Sequence, residues 1–390
     1  MAISFRYSLQ SLLRHRQTTL AAAAGIALLV FVLAASRMLA AGLDSTMLRA
    51  GRADRALVMQ VDAWSESGSR IRGSAFELAA GAPGVRRDGH GTPRVAHESV
   101  ATVYLSRASR RSEYTSVQVR GVHSASFELR PYLRIVQGRA ARPGSSEAIV
   151  GRGIAGRYAG LALGEHFELQ KSRDFVVVGI FEADQTAYES EAWVDLESLR
   201  SALSWQGYLS SVTAELESER AFPSFSRALT SDKLAGLSVT RETDYYEKVS
   251  SGMARFIRGI GSMVGFTFSF GAALGAAITM YGAVSERRRE LAVLRALGFR
   301  RRAVLFGILF ESFVIALLGG AFGMLLAWLT RFIHFATVNY ATGQLVAFPF
   351  LPSLRILAGA LAAGVVAGLA GGFLPAWRAA SIDPVRAMRS

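Results

Sequence analysis

Four apolar stretches, each long enough for a membrane helix, divide the chain into unequal parts. A helix rises about 1.5 Å per residue, so about 20 mostly apolar residues cross a hydrocarbon core. QTTLAAAAGIALLVFVLAAS lies between Arg16 and Arg37, and GIGSMVGFTFSFGAALGAAITMYGAVS between Arg258 and Glu286. AVLFGILFESFVIALLGGAFGMLLAWLT runs from Ala303 to Thr330 with Glu311 as its one charge, and ILAGALAAGVVAGLAGGFLPAW from Ile356 to Trp377. The pattern predicts transmembrane helices over 17–41, 256–285, 303–330 and 356–377. Arg6, Arg14 and Arg16 precede the first stretch, as they would a signal peptide. Its uncharged run exceeds the usual signal-peptide core, which favours a retained span.

The segment 42–255 has a different texture. Alternating or β-branched runs predict strands at ALVMQVDA, VATVYLSR, YTSVQVRGV, FELQ, FVVVGIFEA and SVTAELE. Helical spacing appears at SAFELAAGA, EAIVGRGIAGRYAG and DLESLRSALSW, with Gly and Ser turn signals at SESGSR and ARPGSS. The expected fold class is a membrane protein of four transmembrane α-helices with a large α+β extracytoplasmic domain, of one or two subdomains, between helices 1 and 2.

Charge orients the spans. The net charge is +14, and Arg supplies most of the basic residues. Nucleic-acid motifs are missing and much of the Arg flanks apolar spans, so membrane lipids rather than nucleic acid are the expected contact. The N-terminal segment 1–16, the segment 286–302 and the tail 378–390 fall on one side and are the Arg-rich flanks. That side is expected to be the cytoplasm, with both termini inside. The connection 331–355 reads as a short outer loop edged by Arg331 and Arg355, and Arg37 as a side chain that snorkels to the interface.

Several chemistries lack their residues. There is no cysteine, hence no disulfide, thiolate metal site or cysteine nucleophile. No phosphate-cradling GxxxxGK[ST] loop, HExxH pair or GxSxG elbow occurs. The expectation is a non-catalytic chain that binds no metal and no cofactor of its own. The spans are rich in glycine at four-residue spacing: Gly261 and Gly265, Gly271 and Gly275, Gly319 and Gly323, and Gly364, Gly368 and Gly372. Small residues so spaced let helices approach closely, and five such pairs predict a tight bundle.

The segment ERRRELAVLRALGFRRR, 286–302, predicts a short amphipathic helix. Leu291, Leu294 and Leu297 recur near one face, Glu286 and Glu290 lie near its start, and Gly298 stands at its end. Two readings are open: an interfacial helix that anchors the second span, or a coupling helix that docks into a cytoplasmic motor. Glu311, roughly 13 Å into the third span, requires a partner. An anchor to a neighbouring helix, a part in coupling and proton transport are its three readings.

SERRRELAVLRALGFRRRAVLFGILFESFVIALLGGAFGMLLAW resembles the signature of the FtsX-like permease family of ABC transporters through Glu286, Arg287, Glu290, Leu291, Leu294, Arg295, Ala296, Leu297, Gly298, Glu311, Gly319 and Gly320. LPAWRAASIDPVRAMRS resembles that family's C-terminal ending through Pro375, Arg378, Ala379, Ala380, Asp383, Pro384 and Arg386. EAIVGRGIAGRYAGLALGEHFEL, FVVVGIFEA and ESEAWVDLESL look more loosely like MacB-type periplasmic domains.

The resemblance implies a bacterial inner-membrane permease subunit of a type VII system. It pairs with a second permease subunit, identical or related, and with a cytoplasmic ABC ATPase dimer that holds ATP and Mg. A periplasmic adaptor and an outer-membrane channel often complete such systems. The implied function is mechanotransmission: ATP hydrolysis in the partner moves the coupling helix, and the periplasmic domains extract or export a lipoprotein, lipid, peptide or amphipathic drug. By the same analogy Phe31 and Leu39 are candidates to contact cargo. The alternative is a signalling subunit that activates a periplasmic peptidoglycan hydrolase, against which the size of the outer domain argues.

Overall fold

The computed structural model describes residues 16–170, 173–231, 236–297, 299–339 and 343–381. It divides into two units. Residues 1–41, 256–333 and 350–390 form a helical unit, and 42–255 with 334–349 form a sheet unit.

In chain order, helix α1 (Arg16–Leu48) leads to strands β1 (Arg55–Gln60) and β2 (Ile71–Arg72), then α2 (Ser74–Ala80). The hairpin of β3 (Val95–Arg107) and β4 (Arg110–Val122) is followed by α3 (Ser124–Leu129), β5 (Arg134–Gly138) and β6 (Glu147–Gly151). Next come β7 (His166–Gln170), β8 (Arg173–Glu182), β9 (Glu191–Asp195) and α4 (Leu196–Leu203). Strands β10 (Tyr208–Leu209) and β11 (Ser211–Glu215), helix α5 (Phe222–Thr230) and β12 (Leu237–Arg241) precede the long α6 (Glu242–Glu286). The chain ends with α7 (Arg288–Ala296), α8 (Arg301–Leu329), the hairpin β13 (His334–Asn339) and β14 (Gln344–Pro349), and α9 (Leu354–Ala380).

Helices α1, α6, α8 and α9 are long and apolar enough to cross a membrane. α1 lies at the centre of the helical unit: Ile26, Leu29, Val30, Ala34 and Met38 are buried against Ile315, Ala316 and Ala327 of α8, Ala360 and Ala367 of α9, and Ala272 of α6. Lipid supplies no hydrophobic drive between helices, so close backbone approach carries the packing. A Cβ added at Gly319 or Gly323 would strike the backbone of Ala23 or Ala27. Gly261 and Gly265 abut Ser36 and Leu33 of α1, while Gly364 and Gly368 abut Val30 and Ile26, and Gly372 abuts Ser312.

Gly271 and Gly275 have no such neighbour within this chain, because a Cβ there would meet nothing within 4 Å. Each precedes by one residue a position on the buried stripe of α6, Ala272 and Ala276. One residue is about 100° around a helix, which turns both glycines off that stripe.

The sheet unit is built on ten strands in the order β12-β1-β11-β3-β4-β9-β6-β8-β5, with β7 also paired to β8. Most pairs are antiparallel, and β4–β9 and β6–β8 are parallel. Two apolar clusters lie against the sheet. One gathers Val103, Val117, Val150, Phe167, Phe175 and Leu199, the other Val58, Val95, Val212, Phe225 and Leu229. Asp195 begins α4 by accepting a hydrogen bond from the Ser198 N–H at 3.0 Å, an N-cap suited to a short carboxylate.

The helical expectation over 147–160 is overturned. Glu147–Gly151 is strand β6, buried between β9 and β8. Gly151 and Gly153 lie against the Glu189 backbone, and Gly156 and Gly160 have φ of +67° and +84°, which no helix continues. The short loop expected over 331–355 carries the β13–β14 hairpin, which belongs to the sheet unit. Asn339 Nδ2 donates to the Val249 carbonyl at 2.9 Å, and the Ala347 N–H donates to Ser190 Oγ at 2.9 Å.

Candidate coupling site

The basic segment between the second and third long helices folds as α7. Helix α6 ends at Glu286, and Arg287 is the single residue between it and α7, with φ −102° and ψ 16°. The Leu291 N–H donates to the Arg287 carbonyl at 2.9 Å, an i→i−4 bond that closes the first turn of α7. At the other end Arg295 Nη1 donates to the Phe299 carbonyl at 3.1 Å, and Arg300 is extended before α8 begins.

The two faces of α7 differ. Leu291 and Ala292 are buried, Leu291 in a cluster with Met280, Val304, Ile308, Ala376 and Ala379. Val293 and Leu297 are 47% and 71% exposed, with Ala296 exposed beside them and Arg289 and Glu290 on the surface. Leu291 and Leu297, expected on one face, therefore lie apart. Six residues turn a helix by about 600°, which leaves them roughly 120° from alignment. The outward apolar patch includes Val293, a residue that the leucine spacing did not single out. The Leu294 side chain and Gly298 lie outside the described residues, as do Asp383, Pro384 and Arg386 of the tail.

Glu311 lies in α8 with Arg287 as a partner: Arg287 Nη1 is 3.2 Å from Glu311 Oε1, and the two side chains are 15% and 9% exposed. Phe31 is partly buried against the α1 cluster, and Leu39 is half-buried.

A second concentration of charge, in the sheet unit, went unseen in the sequence. Arg120 reaches three carboxylates: Nε lies 2.7 Å from Glu191, Nη2 2.9 Å from Glu66, and Nη1 2.7 Å from Glu98. Arg130 Nη1 donates to Glu98 at 2.6 Å and Nη2 to the Tyr188 hydroxyl at 3.2 Å. Tyr246 donates to Tyr188 at 2.8 Å, and Tyr188 donates to Glu242 at 3.4 Å. Glu242 also accepts from the Arg52 N–H at 3.0 Å and faces Arg55 Nη1 at 3.6 Å. Burial works to raise the Glu98 carboxyl, but Arg130 and Arg120 outweigh it and hold it at about 2. Burial likewise opposes the charge on Arg120, and Glu191 and Glu66 reverse that effect and raise it. The local signal was a charge at a strand position whose neighbours, Val117, Val119 and Val122, are apolar. Such a signal points to burial but names no partner.

Two family signatures match. The MacB-like periplasmic core domain covers residues 18–232 and the FtsX-like permease C-terminal domain residues 262–384. The macrolide export ATP-binding/permease protein MacB of Salmonella paratyphi A is 27% identical over 221 residues, which are 55% of this chain and 33% of that protein. The ABC transporter permease YknZ of Bacillus subtilis is 31% identical over 134 residues, 33% of this chain and 30% of that one. The chain thus matches a third or less of the length of these relatives. The crystal structure of the periplasmic region of MacB from Actinobacillus actinomycetemcomitans aligns at 15% identity with a TM-score of 0.36, covering 50% of this chain and 92% of that one.

Proposed function

This chain belongs to the family of ABC permeases that carry a MacB-like periplasmic core domain and an FtsX-like C-terminal domain, and from that premise we propose that it is the membrane subunit through which a separate cytoplasmic ATPase dimer moves the periplasmic part. The observation that carries this reading is the split character of α7. One side is sealed into the helical unit by Leu291 and Ala292, and the other offers Val293 and Leu297 outward. A helix that served only as a surface anchor needs no such firm seat. A helix that receives a push needs both a contact face and a backing.

In this reading the Arg-rich flanks face the cytoplasm and the sheet unit stands on the outer side of a bacterial inner membrane. Two permease subunits, identical or related, share the ATPase dimer, and ATP and Mg are held by that partner. The cargo is a lipoprotein, lipid, peptide or amphipathic drug taken up outside the membrane. The macrolide-export name of the Salmonella relative favours an amphipathic molecule within that range.

Leu297→Asp tests the reading. A carboxylate in an apolar contact is costly to desolvate and central contacts dominate interfaces, so ATP turnover by the complex should fall about tenfold or more. Membrane insertion and yield should not change. A variant that co-purifies with its ATPase at full turnover would remove α7 from the coupling path.

A further inference from the structure

We propose that the Arg287–Glu311 pair is a latch that makes α7 and α8 move as one body, so that a push on α7 is delivered into α8 rather than lost in bending at the α6–α7 break. The proposal rests on the reading of α7 as a contact helix for its purpose, but its geometry stands apart from that reading.

Arg287 is the one residue between two helices, where the backbone has left helical geometry. A one-residue break is a natural place for bending. The Arg287 side chain spans that break and ends 3.2 Å from Glu311 Oε1. Glu311 lies ten residues along α8 from Arg301, roughly 15 Å up the helix axis. The pair therefore ties the break to the interior of α8 rather than to its first turn. Both groups are largely buried, and a charge pair withdrawn from water resists separation more than a surface pair does.

The packing beneath agrees. Leu291 and Ala292 are buried, and Val304 and Ile308 of α8 share a cluster with Leu291, Met280 of α6 and Ala376 and Ala379 of α9. Those apolar contacts set a distance but permit sliding, because they are non-directional. The ion pair supplies the direction they lack.

The chain has no cysteine, so introduced cysteines report alone. Nitroxides at Val293→Cys and Leu318→Cys, both exposed positions, report the distance from α7 to mid-α8 in lipid nanodiscs. A control pair at Phe306→Cys and Leu354→Cys, also exposed, reports α8 against α9. Glu311→Gln should broaden the first distance distribution about twofold and leave the control unchanged, as expected when one conformer becomes several. The exchanged pair Arg287→Glu with Glu311→Arg should restore the narrow distribution. An unchanged width in Glu311→Gln, equal broadening of the control, or an exchanged pair that stays broad would each overturn the latch. No ATPase enters the measurement, so failure of the proposed function would not be mistaken for failure of the latch.

Discussion

Helix α6 begins and ends beside buried charge, and the two ends are built differently. At its start Glu242 joins Arg55, Arg130 and Tyr188 in a network that extends through Glu98 and Arg120 to Glu66 and Glu191. Just past its last residue, Arg287 meets Glu311 in an ion pair beside the aliphatic cluster of Leu291, Val304 and Ile308. In the network most carboxylates have two or more partners, so no single contact can open without leaving charge unpaired. That is an anchor. The Arg287–Glu311 pair instead joins the α6–α7 break to α8, and a buried pair of this kind resists separation. One end of α6 is thus tied into a network that crosses several strands, and the other lies beside a pair that ties the α6–α7 break to α8.

The anchor breaks most severely at its centre. Arg120→Leu leaves Glu66, Glu98 and Glu191 buried without their shared cation, and removing one partner of a buried pair costs about 3–5 kcal/mol. For a unit of this size the melting temperature should fall by on the order of 10 °C. Trp193, which donates to Glu191 at 3.0 Å, makes its fluorescence a suitable probe. A fall of under about 2 °C would mean that the network adds little and that the contrast between the two ends is only one of appearance.

Acid tests the same region more gently. The rings of His97 and His123 lie with centroids 4.2 Å apart and planes tilted by 33°, beside Phe76, and the His97 backbone N–H donates to His123 Nε2 at 3.2 Å. Burial, then His123 and Arg200, lower His97 to about 4. Between about pH 6.5 and 4 the unfolded chain binds a proton that the folded one refuses, so this contribution is complete above pH 6.5 and lost as pH falls to 4. Glu98, depressed to about 2, loses its contribution in a lower window, from about pH 4.5 down to 2. Melting curves should therefore show two acid steps. His97→Phe, which keeps the ring packing, should weaken the first and spare the second. His123, shifted in the same direction by burial, keeps part of the first step. An unaltered first step in His97→Phe would exclude His97 as its source.

These contrasts had unequal traces in the sequence. The long helices were legible because crossing a membrane is a local requirement, met by consecutive apolar residues. Six of the ten strands of the main sheet were legible through β-branched or alternating runs such as FVVVGIFEA in β8. Strand β6 was misread because Val150, Ile154 and Tyr158 recur at four-residue intervals, and the left-handed Gly156 and Gly160 that forbid a helix show only in three dimensions. The charge network was illegible for another reason. Arg55, Glu98, Arg120, Glu191 and Glu242 are brought together by strand order, which no local pattern encodes. At the other end the aliphatic spacing of α7 revealed a helix but not which face would be covered, so Leu291 and Leu297 read alike although one is buried and the other open.

The mildest change compares two glycines within the helical unit. A Cβ at Gly323 in α8 would strike the Ala27 carbonyl of α1, so Gly323→Ala must push two helices apart, at about 1–3 kcal/mol for an overpacked contact. At Gly271 the same methyl meets nothing within 4 Å. Gly271→Ala should be neutral to stabilising by up to about 1 kcal/mol, because alanine favours a helix over glycine by about that much and nothing opposes it. Thermal unfolding of both variants in one detergent measures the difference, and an equal loss in the two would mean that the open face of α6 around Gly271 is covered by another protein in the purified sample. In that case α6 would be constrained along its middle as well as at its ends, and the comparison of the two ends would have to include that third contact.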